Sequence, residues 1–327
     1  MTPTALVLRA LGLGDLLVAV PALRLIRRAL PDHRVVLAAP APLAPLVARI
    51  DAVDEHLACP SPADLPAVVG ARPDLGGPVA LNLHGRGPQS HAALDALRPR
   101  RRVGHGAPGW DGPAWTEDPE RAERRRWCDL LAATGLVTPA LAAAGADDLR
   151  LPAVGGEAGP VVVHPGAAFG AKRWPVERFA AVARVLAGRG HAVVVTGGDD
   201  ERALTAPVAA AADGDDRAGR TGLAALLDLV AAAGLVVSGD TGVAHLATAF
   251  GVPSVTLFGP VGPEQWGPPP AGPHVALTDA SRRRGERFAD DPDPALLAVT
   301  VDDVVIAAGH LVGPREDRDR PARCSGP

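Results

Sequence analysis

The stretch 235–259, LVVSGDTGVAHLATAFGVPSVTLFG, gathers residues suited to holding a charged ligand. Ser238-Gly239-Asp240-Thr241-Gly242 forms a tight polar turn between a β-branched run, 235–237, and residues 243–250, whose apolar positions recur at helical spacing. A second strand, 254–258, follows Gly251-Val252-Pro253. Ligands of open α/β sheets gather at such turns, at the carboxyl ends of strands. The first amides of a helix lack partners within it, so this turn can hold an anion such as a diphosphate. Thr241 and Gly242 supply N–H groups there, and His245 lies one turn further along the same face. A plainer reading stands beside this one: Asp240 or Thr241 simply caps the helix.

A second turn carries a cation. Val161-Val162-Val163 reads as a strand, and His164-Pro165-Gly166-Ala167-Ala168-Phe169-Gly170-Ala171-Lys172-Arg173-Trp174-Pro175 follows it, with a helix predicted from 175 to 186. Its small residues allow close backbone approach to a ligand. Lys172 can set a flexible point charge beside a phosphate oxygen. It is the only lysine among 33 basic residues, in a chain that otherwise uses arginine. After the strand 191–196, Gly197-Gly198-Asp199-Asp200-Glu201 can accept hydrogen bonds from ribose hydroxyls, or cap the helix 201–212. Gly219-Arg220-Thr221-Gly222 precedes a further helix, 223–233.

The first half offers a carboxylate. Strand 5–9 leads through Ala10-Leu11-Gly12-Leu13-Gly14-Asp15, read as a glycine turn, into a helix over 16–30. The Gly12-x-Gly14 spacing invites a dinucleotide-binding reading, which other residues argue against. The third glycine position is Leu17, Asp15 would repel a pyrophosphate, and no acidic residue ends the next strand, 34–38. Asp15 is then either a helix-start charge or a carboxylate aimed into a cleft. Strand 78–83 runs into Asn82-Leu83-His84-Gly85-Arg86-Gly87, where His84 and Arg86 are candidates for substrate contact, or solvated loop residues.

The elements that position these groups alternate strand and helix throughout. Further strands are predicted at 53–57 and helices at 63–69, 89–97, 120–134 and 301–311. Residues 104–116 read as a Gly/Pro/Trp loop, Arg124-Arg125-Arg126 as a solvated face, 142–159 as an interdomain linker, and 278–298 as a charged loop. The 327-residue length suggests two domains. A 47% hydrophobic content with clear periodicity argues against disorder despite 37 glycines and 34 prolines. A net charge of −4 gives no general attraction to nucleic acid or anionic membranes. Cys59, Cys128 and Cys324 form no metal spacing and point to a reducing cytoplasm. No run is long or apolar enough to span a bilayer, and residues 1–30 lack a signal-peptide pattern.

In their order along the chain, these motifs resemble glycosyltransferase family 9, the heptosyltransferase-like enzymes. The resemblance rests on Gly12-Leu13-Gly14-Asp15 with Pro21-Ala22, His164-Pro165-Gly166-Ala167 with Lys172-Arg173-Trp174-Pro175, Gly197-Gly198 with Glu201, Asp240-Thr241-Gly242 with His245, and Phe258-Gly259-Pro260. It runs over about 4–311 and is stronger in the second half. It implies an α/β chain of GT-B architecture, two Rossmann-like domains facing across a cleft: an acceptor domain, 1–155, and a nucleotide-sugar domain, 156–312, before a tail, 313–327, expected to be disordered. It implies an inverting transfer from an ADP-sugar, typically ADP-heptose, to an acceptor hydroxyl without a bound metal or other cofactor. Asp15 would be the base and Lys172 the countercharge of the leaving diphosphate. His164, Gly166, Glu201, Thr221, Asp240, Thr241, Gly242 and His245 would bind the donor, with Gly14, His84 and Arg86 on the acceptor side. The chain departs from the family pattern where Arg282-Arg283-Arg284-Gly285-Glu286-Arg287 replaces a cysteine-containing segment. A sugar-nucleotide epimerase and a non-catalytic nucleotide-sugar-binding protein are the rival classes on the same architecture.

Overall fold

The computed structural model describes residues 2–110, 112–152 and 159–313. The expected tail, from 314 on, and residues 153–158 of the expected linker lie outside the described residues. Two parallel sheets carry the fold. The first comprises β1 (Thr4–Leu8), β2 (Arg34–Ala39), β3 (Glu55–Ala58), β4 (Val79–Asn82) and β5 (Arg101–Val103), in the order β3-β2-β1-β4-β5. The second comprises β6 (Val161–His164), β7 (Val193–Val195), β8 (Asp215–Asp216), β9 (Leu235–Gly239), β10 (Ser254–Leu257) and β11 (His274–Leu277), in the order β11-β10-β9-β6-β7-β8. Strands covered on both faces read as continuous apolar runs, as in β1, where every residue is buried. Seven main helices accompany them: α1 (Leu13–Ala29), α2 (Glu123–Ala133), α3 (Val176–Gly188), α4 (Arg202–Ala212), α5 (Leu223–Ala231), α6 (Gly242–Phe250) and α7 (Val301–Leu311). Among the described residues, no helix is long and apolar enough to cross a membrane.

This is the α/β architecture expected, two Rossmann-like units. Their apolar interiors merge. One buried cluster contains Leu16, Val20 and Leu23 of α1, Val162 of β6, Val236 of β9, and Val243, Leu246 and Ala247 of α6.

Several details depart from the sequence reading. The first helix begins at Leu13, with Gly12 as its extended N-cap, so Gly14 and Asp15 belong to its first turn. Gly14 is helical rather than part of a turn; a Cβ there would lie 2.7 Å from the His245 ring, so the glycine permits helix contact. The arginine run on α2 is not a solvated face, since Arg124 and Arg126 are buried. Arg126 pairs with Glu123 at 2.9 Å, donates to the Thr116 carbonyl and stacks on Trp115. Arg124 pairs with Asp147 at 2.7 Å and donates to the Gly267 carbonyl at 3.1 Å, joining the two halves. Residues 142–145, read as linker, close a short helix, Pro139–Gly145. The unpredicted β5, β8 and β11 are short edge strands, and charges on β5 and β8 break the apolar pattern, a common property of edges.

Because one core spans both halves, they should unfold together. Tryptophan fluorescence, reporting Trp110, Trp115 and Trp127 on one side and Trp174 and Trp266 on the other, is expected to give a single denaturant transition coincident with circular dichroism. Two separated transitions would contradict the shared core. The His274 imidazole accompanies Ser254 at 2.9 Å, and burial together with Arg150 holds its pKa down at about 4 from 6.5. The unfolded chain therefore binds this proton first, so the stability contribution is complete above pH 6.5 and is lost as pH falls toward about 4. Replacing His274 by Gln should flatten the melting-temperature profile across that window.

Candidate active site

Each sheet reverses its strand order at one point, between β1 and β4 in the first and between β6 and β9 in the second. The loops leaving these four strands form the crevices where such sheets bind ligands. Asp15 follows β1, His84 and Arg86 follow β4, the turn with Lys172 follows β6, and Asp240 follows β9.

The second-half wall is built around Asp240. Its carboxylate accepts from Lys172 Nζ at 2.7 Å, and Nε2 of His245 stands 4.0 Å from its other oxygen. The His245 ring meets Trp266 edge-on, 5.9 Å between centroids. Burial lowers the His245 pKa against the opposing pull of Asp240 and Asp15, keeping the ring neutral. Thr241 occupies the N-cap position of α6, yet among the described residues its hydroxyl makes no capping bond and has no hydrogen-bond partner. With the Asp240 carboxylate engaged by Lys172, neither residue acts as a simple side-chain cap. Among the described residues, no side chain caps the first N–H groups of α6.

Beside this wall lies the acidic turn. The Gly198 N–H donates to Glu201 at 2.8 Å, and the Glu201 carboxylate lies against Gly166, closer than a Cβ there would allow without the glutamate shifting. Nδ1 of His164 lies 3.0 Å from the Thr196 hydroxyl, and burial lowers this imidazole's pKa. Thr221 donates to the Arg217 carbonyl at 3.2 Å; its loop adjoins the turn through Gly219, which packs on Asp199.

On the first-half wall, the Asp15 carboxylate is 36% exposed and lies 3.7 Å from the guanidinium of Arg9, which is 1% exposed. The opposite wall reverses the arrangement, with Lys172 24% exposed and Asp240 6%. The cleft thus presents an accessible cation on one side and an accessible carboxylate on the other. Gly14 against His245 and Gly242 against Leu13, each closer than a Cβ would allow, bring the walls together. His84 is half-buried, its pKa lowered by burial and by Arg9. Arg86 is exposed, and among the described residues no ion pair draws it toward these groups. Sequence reasoning singled out neither Arg9 nor Trp266 as a site residue. An arginine ending an otherwise apolar strand was the available signal for Arg9, since a buried guanidinium must find acceptors. Nothing local marked Trp266.

Residues 137–284 match glycosyltransferase family 9 (heptosyltransferase). The resemblance seen in the motifs is borne out, and the family 9 segment includes the Lys172, Glu201 and Asp240 turns. A lipooligosaccharide heptosyltransferase 2 of Haemophilus influenzae is 37% identical over 112 residues, 32% of this chain and 32% of its own length. The chain thus matches about a third of the length of that curated relative. A glycosyl transferase family 9 structure from Veillonella parvula superposes with a TM-score of 0.78 at 20% identity, covering 95% of this chain and 97% of the other. The ADP-heptose LPS heptosyltransferase II of E. coli gives a TM-score of 0.76 at 20% identity, over 94% and 98%. These likenesses bear out the GT-B fold. Among the described residues, no group of three or more His, Cys, Asp or Glu side chains is placed to hold a metal ion.

Removing Lys172 would leave the Asp240 carboxylate buried without its cation. Lys172→Ala is therefore expected to cost about 1–3 kcal/mol in urea denaturation, and Lys172→Arg less. Unchanged stability in the alanine variant would mean that water replaces the ammonium.

Proposed function

We propose that this chain is an inverting, metal-independent glycosyltransferase that moves a heptose-like sugar from an ADP-linked donor to an acceptor hydroxyl. The observation that carries this reading is the pair of opposed walls, with Asp15 partly exposed on one and Lys172 partly exposed on the other. Asp15 takes the proton of the acceptor hydroxyl as its oxygen attacks the anomeric carbon. The bond from that carbon to the diphosphate oxygen breaks on the opposite face, so a single displacement inverts the centre. Negative charge grows on the diphosphate, where Lys172 and the N–H groups of Thr241 and Gly242 meet it. These donors fill the role a divalent cation would otherwise take.

The remaining assignments follow the layout of the loops. Glu201 takes the ribose hydroxyls, with Gly166 giving the close approach and Thr221 lining the nucleoside side. His164 supports that turn from beneath. Asp240 holds Lys172 until the donor arrives and then faces the sugar, with His245 beside it. Gly14, His84 and Arg86 border the acceptor. In this reading residues 1–155 serve the acceptor, 156–312 the donor, and the reaction runs in the cytoplasm, where the buried free thiols of Cys59 and Cys128 stay reduced. The donor class is supported by the family 9 match and by the names of the heptosyltransferases that this chain resembles.

The test is release of ADP from ADP-heptose, alone and with a panel of glycan acceptors, in the presence and absence of EDTA. Acceptor-stimulated, EDTA-insensitive release is expected, with inverted configuration in the product. Asp15→Asn should lower turnover by roughly 10²–10⁴-fold while ADP affinity and melting temperature hold. Near wild-type turnover in that variant removes Asp15 as the base. Strict dependence on Mg²⁺ would overturn the metal-independent step, and an isomerised ADP-sugar with no acceptor product would indicate epimerase chemistry.

A further inference from the structure

Arg9 lies one residue past β1 and is 1% exposed, among the largest fully buried side chains. A guanidinium is kept in such a place only where its donors meet acceptors. Nε donates to the backbone carbonyl of Asp15 at 2.9 Å. Nη1 donates to the backbone carbonyl of Leu83, the residue before His84. The plane of the cation rests 4.6 Å from the Trp127 ring centroid on α2. The backbone N–H of Arg9 is itself tied to the Ala38 carbonyl at 2.9 Å, so the base of the side chain is anchored in the sheet. Among the described residues Nη2 has no hydrogen-bond partner, and the Asp15 carboxylate stands 3.7 Å from it. The charged fork thus spans the switch point between β1 and β4, with one arm on each loop and the third nitrogen toward the carboxylate.

We propose that Arg9 is the positioning residue for Asp15: its fork sets the first turn of α1 and the Leu83–His84 turn in one rigid frame and steers the Asp15 carboxylate into the cleft. The proposal rests on the reading of Asp15 as the base. Only a planar cation with donors in several fixed directions can serve both loops at once; a lysine offers one compact charge on a flexible stem. The Asp15 side chain is partly exposed and, among the described residues, accepts no hydrogen bond, so the nearby cation is what restricts its direction. Small displacements of a reacting group cost rate without changing how the donor binds. A purely structural arginine would act on stability and on every activity alike, whatever residue occupied position 15.

A double-mutant cycle separates these roles. Arg9→Lys and Arg9→Met are each made alone and with Asp15→Asn, and all variants of the full chain are assayed for ADP release from ADP-heptose, using the most effective acceptor of the panel or water. Calorimetric ADP affinity and melting temperature are measured on the same samples. The expected result is a fall in kcat of up to about 10²-fold in Arg9→Met, less in Arg9→Lys, with ADP affinity retained. In the Asp15→Asn background neither Arg9 substitution should lower kcat further. Equal proportional losses in both backgrounds, or wild-type kcat in both Arg9 variants, would overturn the proposal while leaving Asp15 as the base. A nearly wild-type Asp15→Asn enzyme would overturn the base reading itself, and the positioning role with it. If Arg9→Met fails to fold, Arg9→Lys, which keeps the charge and the stem, decides between the outcomes.

Discussion

The site depends on the close approach of two helix starts. The first turns of α1 and α6 touch through Gly14 against His245 and Gly242 against Leu13, where side chains larger than hydrogen would push the helices apart. Each start exposes unpaired N–H groups and the positive end of a helix dipole. Bringing two such ends together is unfavourable unless negative charge lies nearby. Asp15 sits in the first turn of α1, and Asp240 immediately precedes the N-cap of α6. Behind this contact the apolar residues of both helices join one buried cluster. The same contact therefore sets the halves against each other and forms the cleft.

The charges in that cleft are arranged with opposite accessibility. On one wall the carboxylate of Asp240 is buried and its lysine reaches outward; on the other the guanidinium of Arg9 is buried and its aspartate reaches outward. In each pair a buried charge lies beside a partly exposed one of opposite sign. The imidazoles nearby add little charge, because burial lowers the pKa of His84, His164 and His245.

Much of this was legible in the residues. Glycine-bearing turns at the ends of apolar strands announced the four loops, and the span of α7, Val301–Leu311, is the one predicted. The single lysine stood out against the arginine background. Most misread side chains have partners that are distant in the chain. Arg124 and Arg126 looked solvated because Asp147, Gly267 and Thr116 are not their sequence neighbours. Gly14 was read as part of a glycine turn because His245, which it packs against, is far away in the chain. Edge strands such as β8, Asp215–Asp216, have no apolar pattern to detect.

The sequence by itself determined the alternation of strands and helices, the parallel α/β class, and which residue types stand at the strand ends, because periodicity and turn chemistry are local properties. It also carried the family resemblance, since motifs are read in order. Tertiary structure alone decided which of those strand-end residues meet. It engaged Asp240 with Lys172 rather than with its own helix, brought Gly14 to His245, placed Arg9 beneath Asp15, and left Arg86 apart. Those outcomes depend on burial and on contacts between distant segments, and burial is what makes a charge seek a partner at all.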